Sequence, residues 1–446
     1  MNAEPRVETR RLEGWSDPAV LFAETEAWKS HAFWLDAGSH AAQGWSLLGQ
    51  GVPDAAGPGA VVIDGSRAEQ PAQGGPPLRG GWVGWLDYER GAAQAGAPVA
   101  QGEPSAWLRV DRLLAFDHAA GEVWAVAPAE GIAAFAEAAQ RRLEASARPG
   151  GHRERPEEGS DGAGHAASAR HTPGEYGALI EECRELIRRG EAYQLCLTTR
   201  FSVQGEIDPV TAYLRLREAT PAHHGGFLRI GERALLSASP ELFLHAEGGR
   251  IRTSPIKGTR PRGADAASDA LLSAELLDSV KERAENVMIV DLMRNDLSRI
   301  CEPGSIRVDR LFAVESYPAV HQLVSTVSGR SVRGATAEQL WAVAFPAGSM
   351  TGAPKLSAMT HLHALEAGPR GVYSGCFGYV GDDGALDLAM VIRSIVIDPA
   401  GAYVGAGGGI TWRSEASAEV AEVATKARAP LSALGAALPS EWETVR

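Results

Sequence analysis

The stretch of this 446-residue chain best suited to covalent chemistry is Arg252-Thr253-Ser254-Pro255-Ile256-Lys257-Gly258-Thr259-Arg260-Pro261-Arg262-Gly263. It sets one lysine between a proline-bearing strand end and a Gly-Thr turn, inside a cluster of four arginines. Like charge nearby disfavours a protonated amine, so a lowered pKa is expected for Lys257, and only the uncharged amine is a nucleophile. Taken alone, the same stretch also reads as a basic surface loop that binds a phosphate or nothing. Two carboxylate pairs accompany it. Glu282 and Glu285 lie three apart in a long helical run, Lys281–Leu297, and so share a face. Glu419 and Glu422 repeat that spacing near the C-terminus, with Lys426 on the same face. Two helices each presenting such a pair suit a hard divalent ion such as Mg²⁺, with substrate oxygens and water completing its octahedron. The alternative is four solvated helix glutamates.

Anion binding is the second theme. Phe345-Pro346-Ala347-Gly348-Ser349-Met350-Thr351-Gly352-Ala353-Pro354-Lys355 is a glycine-rich turn entering a helix with proline at its first position. Free amides there, around Ser349 and Thr351, would hold an anion. The GxxxxGK[ST] spacing is absent, so ATP is not indicated. Arg393 lies within the apolar run Leu388–Ile397 and needs an anionic partner, because a buried unpaired charge is too costly. Val404-Gly405-Ala406-Gly407-Gly408-Gly409-Ile410 lets backbone approach a ligand closely. His361 and His363 do not share a helical face and read as structural. Together these residues call for a ligand with a carboxylate, a second anionic group held through Mg²⁺, and an electrophilic carbon near Lys257. No nicotinamide, flavin or pyridoxal signature accompanies the lysine.

The elements that must position these groups follow from periodicity. Residues 1–147 read as a β-rich lobe, with strands at Ala32–Asp36 and Gly59–Ile63, and Gly80–Glu89 as an aromatic-glycine segment of close backbone approach or tight turns. In it, Ala106–Val110 and Val123–Val126 read as a strand pair around Asp117–Gly121, and 131–147 as a helix. Residues 148–171 hold almost no apolar side chain and read as a disordered surface loop with solvated His152, His165 and His171. Thr172-Pro173-Gly174-Glu175 opens a helix as N-cap, first position and capping partner. From there to residue 446 strands lead into the lysine and helices follow it. The fold class is α/β; two packed sheets with outer helices in one large bilobed unit are what the family resemblance below implies. A net charge of −13 argues against nucleic acid or an acidic membrane as partner. Four scattered cysteines suit a reducing compartment. No secretory leader or membrane span is expected, and a cytoplasmic location follows.

Taken together, Ser254–Gly263, Ile289–Leu297, Gly348–Lys355 and Ala406–Ile410 resemble the chorismate-utilising enzymes, from about Glu175 to about Pro430. Phe33-Trp34-Leu35-Asp36-Ala37 and Gly81-Trp82-Val83-Gly84-Trp85 resemble the component I pattern more weakly. Lysine before Gly258-Thr259 resembles the aminodeoxychorismate synthases, where anthranilate synthases usually have alanine. The resemblance implies that Lys257 attacks C2 of chorismate, with Glu241 of Ser239-Pro240-Glu241 as general acid/base. It implies Mg²⁺ between Glu282/Glu285 and Glu419/Glu422, with Glu285 and Glu422 as direct ligands. Tyr379, Arg393, Lys426 and the Gly409 amide match positions that hold the other carboxylate, and Thr259 and Gln322 are further substrate contacts. Gln322 stands where many relatives have histidine, so it hydrogen-bonds without exchanging protons. Ala37 replaces a serine that helps some relatives bind tryptophan, so weak or no tryptophan binding is expected. No amidotransferase or lyase half is recognised, so ammonia is expected from a glutamine amidotransferase subunit (component II) or from free ammonium. The resulting expectation is an aminodeoxychorismate synthase component I serving folate or a secondary metabolite. Anthranilate synthase component I is the alternative within the class, and a non-catalytic anion-binding relative the alternative outside it.

Overall fold

A computed structural model of the chain describes residues 7–67, 75–102, 104–146, 165–317 and 320–445. Among these, strands join into two antiparallel sheets, one of twelve strands and one of ten. The expected α/β class with two packed sheets is found. Near one end of the larger sheet, Gln194–Gln204 pairs along its length with Gly401–Ile410. In the smaller, Ile256–Pro261 pairs with Val320–Arg330.

Successive strand residues point to opposite faces, and here both faces are covered. Phe33 enters the core between the sheets while Trp34 enters the core under the outer helices. Leu235 and Leu236 divide in the same way, as do Cys196 and Leu197. This explains apolar runs with no clean alternation. The helix Pro173–Arg188 begins with the expected capping box between Thr172 and Glu175. The helices Val280–Ser298 and Ala416–Ala433 carry the two glutamate pairs.

Several expectations are corrected. Strands from the first 147 residues join both sheets: Gly81–Leu86 pairs with Cys376–Gly381, and His31–Asp36 pairs with His224–Ile230. Chain segments far apart in sequence therefore alternate within each sheet. Gly59–Ile63 is no strand but an irregular segment with a single bridge from Val62 to Thr336. The hairpin around 118–121 joins Leu113–Asp117 to Glu122–Pro128, whereas Ala106–Val110 lies in the other sheet. Leu388–Ile397 divides into Leu386–Met390 and Ser394–Asp398, one in each sheet. Arg393 stands at the crossing with φ 52°, a left-handed conformation that ends an extended run. The disorder expected for 148–164 lies outside the described residues, as does His152. The end of that segment is ordered, however. Ala167–Ala169 pairs with Gln194–Gln204, and His171 is buried against the Thr199 hydroxyl at 3.0 Å. His165 makes a single bridge to Ala436. Among the described residues no helix is long and apolar enough to cross a membrane.

Candidate active site

Lys257 sits where the edge of the smaller sheet meets the glycine strand of the larger. Gly258, next to it, has φ 85°, and a Cβ there would meet Leu276 and Glu282 at 2.8 and 3.0 Å. A residue with a side chain would be strained and would push the glutamate helix away. Opposite, a Cβ on Gly409 would strike the Gln194 amide and lie 3.6 Å from Lys257 Nζ. A Cβ on Gly408 would lie 3.1 Å from Glu419 Oε2 and 4.0 Å from Lys426 Nζ. The glycines thus form a bare floor, with Lys257 and Gln194 against Gly409 and Glu419 and Lys426 against Gly408.

Three of the four arginines of the cluster are paired with acids. Arg260 pairs with Glu275 at 3.1 Å and Glu282 at 3.8 Å, Arg262 with Asp269 at 2.7 Å, and Arg250 with Asp309 at 2.9 Å. The charges that act with Lys257 are carboxylates: Glu241, Glu285 and Glu422 each feel its positive charge. The compensating acids come from distant segments that the local sequence did not display.

Glu241 is 7% exposed. It accepts a hydrogen bond from Ser349 Oγ at 3.1 Å and another from the Ile256 amide. Burial raises its pKa, and Lys257 and these hydrogen bonds offset only part of that. A carboxyl whose pKa is raised by burial, beside an amine, is suited to donate a proton to a leaving oxygen and recover it later. Ser349 thus serves Glu241 directly. Thr351 is fully buried and turns its hydroxyl to Ala347 O at 3.2 Å, so it shapes the turn. The anion nest expected here is also reduced, because Gly352–Ala353 pairs as a short strand with Gln194–Leu195. The following helix, Lys355–Glu366, has Pro354 at its N-cap instead of its first position.

Across the floor lie the glutamates. Burial raises the pKa of Glu285, Lys257 and Lys281 oppose this, and Glu282 and Glu419 add to it. Its Oε1 is buried without a hydrogen-bond partner among the described residues. Burial likewise raises Glu419, whose Oε1 lies 3.7 Å from Lys281. For Glu422 burial also acts upward, but the 2.6 Å contact with Lys426 and the other lysines outweigh it and the net shift is down. Among the described residues no three His, Cys, Asp or Glu side chains form a ready-made metal cage. That arrangement still fits Mg²⁺, which is commonly held by one or two carboxylates and completed by substrate and water. The unpartnered oxygen of Glu285 is the observation that supports the fit.

The carboxylate-binding set is partly redrawn. Lys426 Nζ also donates to Gly407 O at 2.8 Å. Arg393 has no side-chain hydrogen bond or ion pair among the described residues, and burial lowers its pKa while Glu422 and Tyr373 partly restore it. Tyr379 does not join this group. It lies in the strand paired with Gly81–Leu86, and its electrostatic neighbours are Asp387, Asp383 and Glu247. The tyrosine beside Arg393 is Tyr373, buried against Gly405 of the glycine strand. Both tyrosines belong to one short stretch, and only the sheet crossing decides which faces the cleft. Thr259 and Gln322 are opposite each other in the strand pair, and Gln322 Oε1 is buried without a partner among the described residues.

Two further groups escaped the sequence. Gln194 is 0% exposed, and neither its amide oxygen nor its nitrogen has a partner among the described residues. Arg370, 3% exposed, chelates Glu366 at 2.6 and 2.8 Å and donates to Met350 O at 2.6 Å and Cys196 O at 2.8 Å. It ties the Ser349 turn to the strand that carries Gln194. In the middle of that larger sheet, Asp36 is spent internally, accepting from Tyr213, Ser46 and the Gly38 amide and pairing with Arg217. A cavity of about 640 Å³ opens elsewhere, lined by His223, His245, Arg252, Pro240 and Ile256 among others. Pro240 and Ile256 neighbour Glu241 and Lys257 in sequence, but the cavity lining includes none of the converging side chains.

Comparison with known proteins agrees with this geometry. Residues 55–432 match the chorismate binding enzyme family. The chain is 44% identical to an aminodeoxychorismate synthase of Streptomyces pristinaespiralis over 79% of its own length and 50% of the relative's. It is 39% identical to anthranilate synthase component 1 of Streptomyces coelicolor, over 83% of this chain and 75% of that one. The crystal structure of anthranilate synthase component I from Streptococcus pneumoniae superposes with TM-score 0.70 at 29% identity, covering 83% of this chain and 84% of that one. The chain spans about half the length of the aminodeoxychorismate synthases of Streptomyces that it matches. Lysine, acid and carboxylate pairs at one cleft, with the match to nearly the whole chain, establish that it belongs to the chorismate binding enzyme family.

Proposed function

We propose that the chain is a component I aminodeoxychorismate synthase, converting chorismate and ammonia to 4-amino-4-deoxychorismate. The observation that carries this reading is the amine of Lys257 at the glycine floor, with the buried acid Glu241 beside it. In the first step Lys257 Nζ bonds to C2, the ring double bonds shift, and the C4–O bond breaks. Glu241 supplies the proton with which the hydroxyl leaves as water. In the second step ammonia bonds to C4, and the C2–N bond electrons return to Lys257 as its free amine. The new ammonium passes its extra proton to Glu241, so the sum is chorismate plus ammonia to product plus water.

Glu285 and Glu422, with Glu282 and Glu419 behind them, would hold Mg²⁺, which when bound neutralises the ring carboxylate. Arg393, Tyr373, Lys426 and the Gly409 amide would take the other carboxylate, and Thr259 and Gln322 would contact the ring. Ammonia would come from a glutamine amidotransferase partner or from free ammonium, and a cytoplasmic site of action fits a chorismate pathway. Anthranilate synthase component 1 remains the second reading, because a relative of that name matches over three quarters of its length.

The test is to incubate the purified chain with chorismate, Mg²⁺ and ammonium and identify the product by chromatography and mass. Aminodeoxychorismate, converted to 4-aminobenzoate by an added lyase, supports the reading. Anthranilate supports the second one. No turnover with ammonium, or with an added amidotransferase subunit, favours a non-catalytic relative.

A further inference from the structure

Lys281 stands where a helix least favours a cation. It is the second residue of the helix Val280–Ser298, whose N-cap is Ser279, and the free amides at that end carry partial positive charge. Its ammonium reaches across to the helix Ala416–Ala433 and lies 3.7 Å from Glu419 Oε1. Its electrostatic neighbours are Glu419, Glu285, Glu282 and Glu422, the four acids of the metal site proposed above. Two of these have another cation: Arg260 lies 3.8 Å from Glu282, and Lys426 lies 2.6 Å from Glu422. Among the described residues, Glu285 Oε1 has no hydrogen-bond partner and Glu419 pairs with no cation other than Lys281. Glu285 and Glu419 also repel each other. Lys281 is thus placed against its own helix dipole and toward the two acids that most lack a counter-charge.

We infer that Lys281 is a built-in counter-ion that competes with the divalent cation for the glutamates, and so sets how tightly the metal is held. This inference rests on the Mg²⁺ site proposed above. Carboxylates carried on two helices repel unless a cation lies between them, and the chain supplies a tethered, monovalent one. A divalent ion brings twice the charge to the same acids and repels the ammonium. The Lys281 side chain is 49% exposed and 3.7 Å from its partner, so it is free to swing out into water. The work of that displacement is subtracted from the metal's binding free energy. Lys426 is not equivalent, because it is also anchored to Gly407 O at 2.8 Å. The tethered cation therefore keeps the two helices together without the metal and leaves the metal exchangeable.

The experiment counts bound metal, not turnover. Mn²⁺, a paramagnetic stand-in for Mg²⁺, is titrated into wild-type protein, Lys281→Met and Lys281→Arg with chorismate present and ammonium withheld. The free ion is read by electron paramagnetic resonance, and melting is followed with and without it. Methionine keeps most of the apolar stem and removes the charge. Lys281→Met is expected to bind Mn²⁺ about fivefold more tightly, the equivalent of one half-exposed ion pair, and Lys281→Arg within about twofold of wild type. Without the metal Lys281→Met should melt below wild type at neutral pH, and saturating Mn²⁺ should remove that deficit by supplying the missing charge. Unchanged or weaker Mn²⁺ binding in Lys281→Met overturns the inference, as does a melting deficit that persists in saturating metal. Glu285→Gln is the control for the site itself. If wild type binds no Mn²⁺, or Glu285→Gln binds it as tightly as wild type, the proposed metal site is rejected together with the role of Lys281.

Discussion

Arg370→Met would test whether the buried ion pair under the active site holds the fold together. The guanidinium bonds Glu366 through two nitrogens, donates to the carbonyls of Met350 and Cys196, and stacks over Tyr88 at 4.3 Å. Methionine fills much of the volume but leaves Glu366, only 3% exposed, with the Thr198 amide and no cation. Breaking a buried pair from one side costs about 3–5 kcal/mol. With an unfolding entropy of about 2.1 cal/mol/K per residue near 60 °C, a chain of 446 residues loses about 1 °C of Tm per kcal/mol. The expected fall is therefore about 3–5 °C, read by differential scanning calorimetry at a fixed scan rate. The double variant Glu366→Leu/Arg370→Met removes both charges and should recover more than half of that loss, because the penalty lies in the orphaned carboxylate. Met350 ends the turn whose Ser349 bonds Glu241, so kcat should fall in the single variant even well below its Tm. A single variant that melts within 1 °C of wild type, or a double variant no more stable than the single, would refute the reasoning.

Other outcomes follow from the same geometry. Lys257→Ala should abolish the protein–substrate adduct and lower the rate with ammonium by at least about 100-fold; full activity at neutral pH would reject the covalent route. Glu422→Gln should raise the Mg²⁺ concentration needed for half-maximal activity about tenfold or more, and an unchanged metal titration would remove Glu422 from the ligand set. Glu285→Gln should stabilise the free protein at neutral pH. Burial raises the Glu285 pKa, so the folded state holds its proton more tightly and stability is lost as pH rises from the unfolded value through the raised one. The stabilisation by glutamine should therefore vanish below about pH 4, where the carboxyl is protonated in both states; a gain of the same size at pH 3.5 and pH 7 would show that charge is not its cause.

What the sequence by itself determined was the chemistry carried by contiguous stretches. Lys257 with Gly258, the paired glutamates and the glycine strand are legible because their function depends on spacings of one to four residues, which strands and helices preserve. The same holds for the helix opening at Thr172 and for the long helix of Glu282 and Glu285. What the local sequence could not display was anything set by partners far along the chain. Asp309, 59 residues on, pairs with Arg250, which looks like part of an uncompensated cluster. Arg393 reads as a mid-strand charge until its left-handed backbone places it at a crossing between sheets. That crossing also decides that Tyr373, and not Tyr379, faces it. Gln194 looks like an ordinary strand residue, and Arg370 like a loop cation, until pairing and packing surround them. Electrostatic environment and unmet hydrogen bonds depend on distance in space, and in a fold whose sheets interleave segments hundreds of residues apart, only the tertiary structure supplies that distance.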